Sequence, residues 1–186
     1  MIEALATRGM LPAAADSADF EEARWIAALR RGDPEAFERL YRRRVDALYG
    51  LAWRLTADVK QAKELVQEVF VRAWEHRERF NNGEHFVRWL RRVAIHTWIN
   101  QLRRARPEAF DDEGESDLPA APAPAHGVRL DVQRALAALP PRLRAVVVLF
   151  DIYGLRYDEI SDLLRISVGA SKVQLHRARR RLKEML

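Results

Sequence analysis

Apolar residues recur at steps of three and four along most of the chain, the spacing of helices that each bury one face. Phe20, Trp25, Ile26 and Leu29 mark a short first helix. Asp33 and Pro34 open a second, because an aspartate accepts bonds from free N–H groups at a helix start and proline suits the first helical position. Its stripe runs Phe37, Leu40, Tyr41, Val45, Leu48, Ala52, Leu55. A third helix carries Ala62, Leu65, Val66, Val69, Phe70, Ala73 and Trp74 and stops before Asn81-Asn82-Gly83. A fourth carries Phe86, Trp89, Leu90, Val93, Ala94, Ile99 and Leu102, interleaved with Arg88, Arg91, Arg92, Arg103 and Arg104. No stretch sustains the alternation of a half-buried strand, so the expected class is all-α.

The pattern lapses over 107–127, where four prolines and two glycines leave little to bury. Such a segment does not repay its ordering entropy and reads as a flexible tether. Beyond it come helices over 128–139 and, after Pro140-Pro141, over 142–153, stopped by Gly154. A helix over 157–164, a turn at 165–167 and a basic helix over 168–185 read as a helix-turn-helix. Ile160, Leu163, Leu164 and Ile166 would seat its first helix, Val168 and Val173 would anchor its second, and Ser167 stands at the N-cap. The expected architecture is an extension (1–19), a helical bundle (20–106), an acidic linker (107–127) and a helix-turn-helix domain (128–186).

Composition narrows the chemistry. With 48% hydrophobic residues in 186 the chain can fill a core, and with no cysteine it has no disulfide or thiolate zinc site. Its longest apolar run, 145–150, is too short for a membrane span, and 1–19 lacks the pattern of a secretory signal, so a cytoplasmic location is expected. The net charge of +5 is unevenly spread: +5 over 1–106, −6 over 107–127 and +6 over 128–186. Basic blocks suit a polyanionic partner. The final helix offers Ser171, Lys172, Gln174, His176, Arg177, Arg179, Arg180 and Arg181, short polar groups for base edges and then arginines for phosphates. An enzyme is not expected: there is no Gly-rich phosphate loop and no His-Glu-x-x-His, and the five histidines are scattered. No metal or organic cofactor is expected either.

Two blocks together are specific. ALAALPPRLRAVVVLFDIYGLRYDEISDLLRISVGASKVQLHRARRRLKEML (135–186) resembles region 4 of the extracytoplasmic-function sigma factors of the sigma-70 family. KELVQEVFVRAWEHRERF (63–80) and FVRWLRRVAIHTWINQLRR (86–104) resemble their region 2, in the right order. The resemblance implies a protein that binds core RNA polymerase, through the β′ clamp helices and the β flap, and directs it to promoter DNA. On it, Glu64, Leu65, Gln67 and Glu68 dock on the clamp. Arg88, Arg91, Arg92, His96, Asn100 and Arg103, with the loop 80–85, melt the −10 element and hold its strand. The helix-turn-helix reads the −35 element through Ser171, Lys172, Gln174, His176, Arg177, Arg179 and Arg180. The linker would run near the active centre, its acids imitating RNA. An anti-sigma protein is a further implied partner.

The chain departs from the family pattern in three places. An acidic cluster usual before Leu-Val-Gln-Glu is Gln61, Ala62, Lys63, Glu64 here, which moves the local charge from −3 to 0. A phosphoryl group on the nearby Thr56 would restore most of that charge. His96 and Asn100 stand where Asn and Asp are usual, and Gln174 replaces an arginine, which shifts a preference from guanine toward adenine. Two other readings use the same residues: a regulator that binds duplex DNA alone, and a degenerate adaptor that occupies polymerase without opening promoters.

Overall fold

The structure, a computed structural model, describes residues 13–105 and 128–186, with side chains from 20 to 105 and from 132 to 186. The acidic linker and residues 1–12 lie outside the described residues. Within them there are eight α-helices and no strand, as the periodicity predicts. α1 (Ala13–Arg30) starts earlier than expected, inside the segment read as an extension.

Local chemistry fixes the next boundaries. The Asp33 side chain accepts from the N–H groups of Glu35 (2.9 Å) and Ala36 (3.4 Å), and Pro34 begins α2 (Pro34–Thr56). α3 (Val59–Glu75) starts where Asp58 accepts from the Gln61 N–H at 2.7 Å. A 3₁₀ turn (Arg77–Arg79) follows, and Asn82 caps α4 (Gly83–Ala105) by accepting from the His85 N–H at 2.8 Å. Thr56 closes α2. It is buried, its hydroxyl donates to the Ala52 carbonyl at 2.9 Å, and the Asp58 N–H donates to it at 3.3 Å. That corrects the expectation of phosphorylation, since a kinase would meet no accessible hydroxyl.

α2, α3 and α4 pack around Leu40, Leu55, Leu65, Val69, Phe86, Ile95 and Ile99, all buried. Each such side chain contributes about 1.5–3 kcal/mol on leaving water. α1 closes the bundle through Ile26, Leu29 and a buried carboxylate, Glu22. Arg44 and Arg43 hold that carboxylate at 2.5 and 3.0 Å, and on its other side lies Gly83 at the start of α4. A Cβ on Gly83 would sit 2.6 Å from Glu22 Oε1, so the glycine is what lets α1 and α4 meet.

The C-terminal half comprises α5 (Val128–Ala138), α6 (Pro141–Val147), a π-helical turn (Val148–Ile152), α7 (Tyr157–Leu164) and α8 (Val168–Met185). Gly154 leaves the π turn at φ 66° and Arg165 ends α7 at φ 55°. Ser167 accepts from the Ala170 N–H at 3.0 Å and so starts α8 where expected. Leu139, Val146, Leu149, Ile160, Leu164, Leu175 and Ala178 form its core. The two halves touch along a seam in which α2 meets α5 and α6, and α4 meets α7.

Candidate functional site

α8 has a core side and an outward side. Ser171, Leu175 and Ala178 are buried, while Lys172, Val173, His176, Arg177 and Arg180 are exposed. Four of the seven expected −35 contacts therefore share one outward face. Ser171 is corrected: it faces the core, and its hydroxyl donates to the Ser167 carbonyl at 3.2 Å. Gln174 lies on the flank with Oε1 buried and unpartnered, so it does not present both amide atoms to an adenine. Arg179 is turned to its own domain. It pairs with Asp151 through both ends of the guanidinium and lies over the Phe150 ring at 5.6 Å. That bond raises its pKa above the ordinary arginine value. Val168 and Val173, expected as anchors, are 41% and 51% exposed. Leucine and alanine on the opposite face do the anchoring.

The basic face of α4 looks into the seam. Arg91 lies over the Tyr153 ring at 5.2 Å, Arg54 donates to the Tyr153 hydroxyl at 3.5 Å, and Arg103 donates to the Leu164 carbonyl at 3.2 Å. Burial raises the Tyr153 phenol above its ordinary pKa. His96, half-buried, is held below 6.5 first by burial and then by the Arg92 and Arg165 guanidiniums. Between α4 and the segment 153–163 a cleft of about 490 Å³ remains, which His85, Arg88, Arg92 and His96 line opposite Glu159 and Asp162. Arg88 is paired along its own helix with Glu84 at 3.1 Å, and Asn100 is exposed. The six expected −10 residues thus all belong to α4, but the C-terminal half already engages Arg91 and Arg103. Trp98 is core, Trp89 half-buried, and Phe80, in the expected base-capturing loop, is buried edge-on against Phe86 and Trp89.

On α3 the expected contacts divide. Glu64 and Gln67 are exposed, and Glu68 is half-buried between Arg72 (2.6 Å) and Gln101 (3.2 Å). Leu65 is fully buried and is corrected to core. Beside Gln67 runs an open groove of about 840 Å³ between α2 and α3, walled by Phe37, Tyr41, Val45, Tyr49, Phe70 and Trp74. Tyr41 lies 4.6 Å from the Phe70 ring, and Phe37 5.3 Å from Trp74. Sequence reasoning put Phe37, Tyr41 and Val45 of this wall on the core stripe and passed over Tyr49. The signal for it was present: Phe37, Tyr41, Val45 and Tyr49 recur every fourth residue beside the true core line of Leu40, Leu48, Ala52 and Leu55.

Comparison with known proteins follows the same division. The family described as "Sigma-70 region 2" matches residues 40–108, and "Sigma-70, region 4" matches 129–182. ECF RNA polymerase sigma factor SigM of Mycobacterium tuberculosis is 30% identical over 166 residues, covering 89% of this chain and 84% of SigM. ECF RNA polymerase sigma factor SigE of Mycolicibacterium smegmatis is 35% identical over 160 residues, which span 81% of this chain but only 62% of SigE. Among solved structures, the sigma factor RpoE, crystallised with the anti-sigma factor NepR from Bartonella quintana, aligns at a TM-score of 0.58 with 26% identity, covering 80% of this chain and 95% of RpoE.

Proposed function

Because this chain belongs to the extracytoplasmic-function sigma factors of the sigma-70 family, we propose that its α2–α3 groove docks on core RNA polymerase, its α8 face reads the −35 element and its α4 face holds the melted −10 strand. What carries the reading is the separation of one apolar groove from two cationic helix faces. A groove of aromatic side chains with a polar rim suits a protein partner. A basic face at the start of a capped helix suits a major groove. Arginines beside the half-buried Trp89 of the same helix suit an unstacked strand.

The −10 strand and the seam compete for Arg91 and Arg103, so promoter opening requires the halves to separate. Polymerase supplies that separation by holding the groove on one half and the C-terminal domain on the other. Promoter-specific initiation is the work of this family, and the bond-making belongs to the polymerase. The protein would act in the cytoplasm with that enzyme; among the described residues no helix is long and apolar enough to cross a membrane. The likeness to RpoE, solved with an anti-sigma factor, makes such a protein a candidate partner here.

Reconstitution tests the reading. With core bacterial polymerase on genomic DNA, the full chain should yield starts at a defined set of sites that share two upstream elements. Core binding without starts would favour the adaptor, and tight duplex binding without core binding would favour the regulator.

A further inference from the structure

Val173 is an apolar residue in a place where folding has no use for one. On a helix of 100° per residue it points within roughly 20° of the direction opposite the buried Ser171, Leu175 and Ala178. Its flanks are Lys172, His176 and Arg177, all exposed. A lone exposed valine needs no explanation by itself. Its setting is what matters: it sits at the centre of the face that the helix-turn-helix turns to its ligand.

One turn earlier on that same face is Gly169. A Cβ there would meet only the Ser167 hydroxyl at 3.8 Å, an ordinary contact, and its φ lies outside the left-handed region. Packing therefore does not call for glycine at this position. Its effect is to leave the first turn of α8 bare, so that the backbone can come close to a flat surface and carry Val173 to it.

Among the groups that base pairs expose in a major groove, the C5-methyl of thymine is the apolar one. We infer that Val173 reads a thymine of the −35 element through its methyl group, and so sets sequence preference at one position. This rests on the sigma reading above and adds to it a residue and a base. It also moves the specificity departure from Gln174, whose carbonyl is turned inward, to Val173.

The test uses holoenzyme reconstituted with the full chain, on a promoter duplex from which it initiates. Each thymine of the −35 element is replaced singly by deoxyuridine, which deletes only the methyl group. The expected result is one position at which the replacement weakens promoter binding about fourfold, the worth of one buried methyl. In Val173→Ser holoenzyme that position should no longer distinguish thymine from uracil, while Gln174→Ala should still do so. The inference is overturned if no position responds, or if the response is equal in wild type and Val173→Ser. Either result leaves specific initiation, and with it the sigma reading, intact. Absence of specific starts on any template would remove both.

Discussion

α4 and α8 are both long, arginine-rich helices, yet they stand in opposite conditions. α8 turns Lys172, His176, Arg177 and Arg180 outward, while Arg179, paired with Asp151, helps fasten it to its domain. α4 has its central basic groups folded against the other half: Arg91 on a phenol ring, Arg103 on a carbonyl, and His96 with its pKa lowered first by burial and then by the Arg92 and Arg165 guanidiniums. The contrast shows that charge content does not say which helix is ready for DNA. On the proposed function, the duplex reader is presented in the closed chain and the single-strand reader is covered until the halves part.

The largest effect should come from removing the platform under α4 alone. Glu22→Ala leaves Arg43 and Arg44 without their carboxylate, at a cost of about 2–3 kcal/mol, below the fully buried range because both arginines keep some water. Hydrogen exchange should show α1, α2 and α4 losing protection while α7 and α8 keep theirs. Equal loss in both halves would mean that they fold as one unit.

Next, the two helices should answer differently to the same deletion. Arg177→Ala should weaken duplex binding by the C-terminal domain about fivefold and lower the salt slope by about one. Arg91→Ala should leave duplex binding unchanged. A similar loss in both would erase the contrast.

Tyr153→Ala should then release α4 without touching α8. It removes the ring under Arg91 and the acceptor for Arg54, so the free chain should expand in small-angle scattering and bind a single-stranded −10 oligonucleotide several-fold more tightly without polymerase. Unchanged dimensions would mean that the contacts of α2 with α5 and α6 and of α4 with α7 hold the seam without Tyr153.

The smallest effect is set by pH. His96 has a lowered pKa in the closed chain, so the open chain binds more protons and acidification favours opening. The seam contribution of His96 is complete above about pH 6.5 and shrinks as pH falls below it. Arg92, Arg165, His85, Glu159 and Asp162 stand around His96. His96→Gln should flatten the pH dependence of compaction, and duplex binding by Arg177 should not follow it.

Much of the fold was legible because its signals are local. Asp33-Pro34 and Ser167 are caps whose partners lie two or three residues away, and each begins a helix in the structure. The helix-turn-helix was legible for the same reason. What periodicity does not contain is which neighbour covers a stripe. Phe37, Tyr41, Val45 and Tyr49 have the spacing of core and line an open groove; Val173 is a valine among helical apolar residues and points away from the buried Leu175 and Ala178. Glu22, Arg44 and Gly83 come from three separate helices, and no window of sequence contains all three. Leu65 was misplaced because a resemblance names a motif, within which alternate sides of a helix do different things, and Ser171 because a polar side chain was taken to face outward.

The π-helical turn has an evolutionary consequence. A turn of this kind holds one residue more than an α-helical turn, and Val148–Ile152 lies immediately before Tyr153. Loss of a single codon within it would restore α-helical hydrogen bonding and bring Tyr153 one residue closer to α6, shifting its ring relative to Arg91. Descendants of this gene thus have a one-step path to a weaker seam, with the residues of α4 and α8 unchanged.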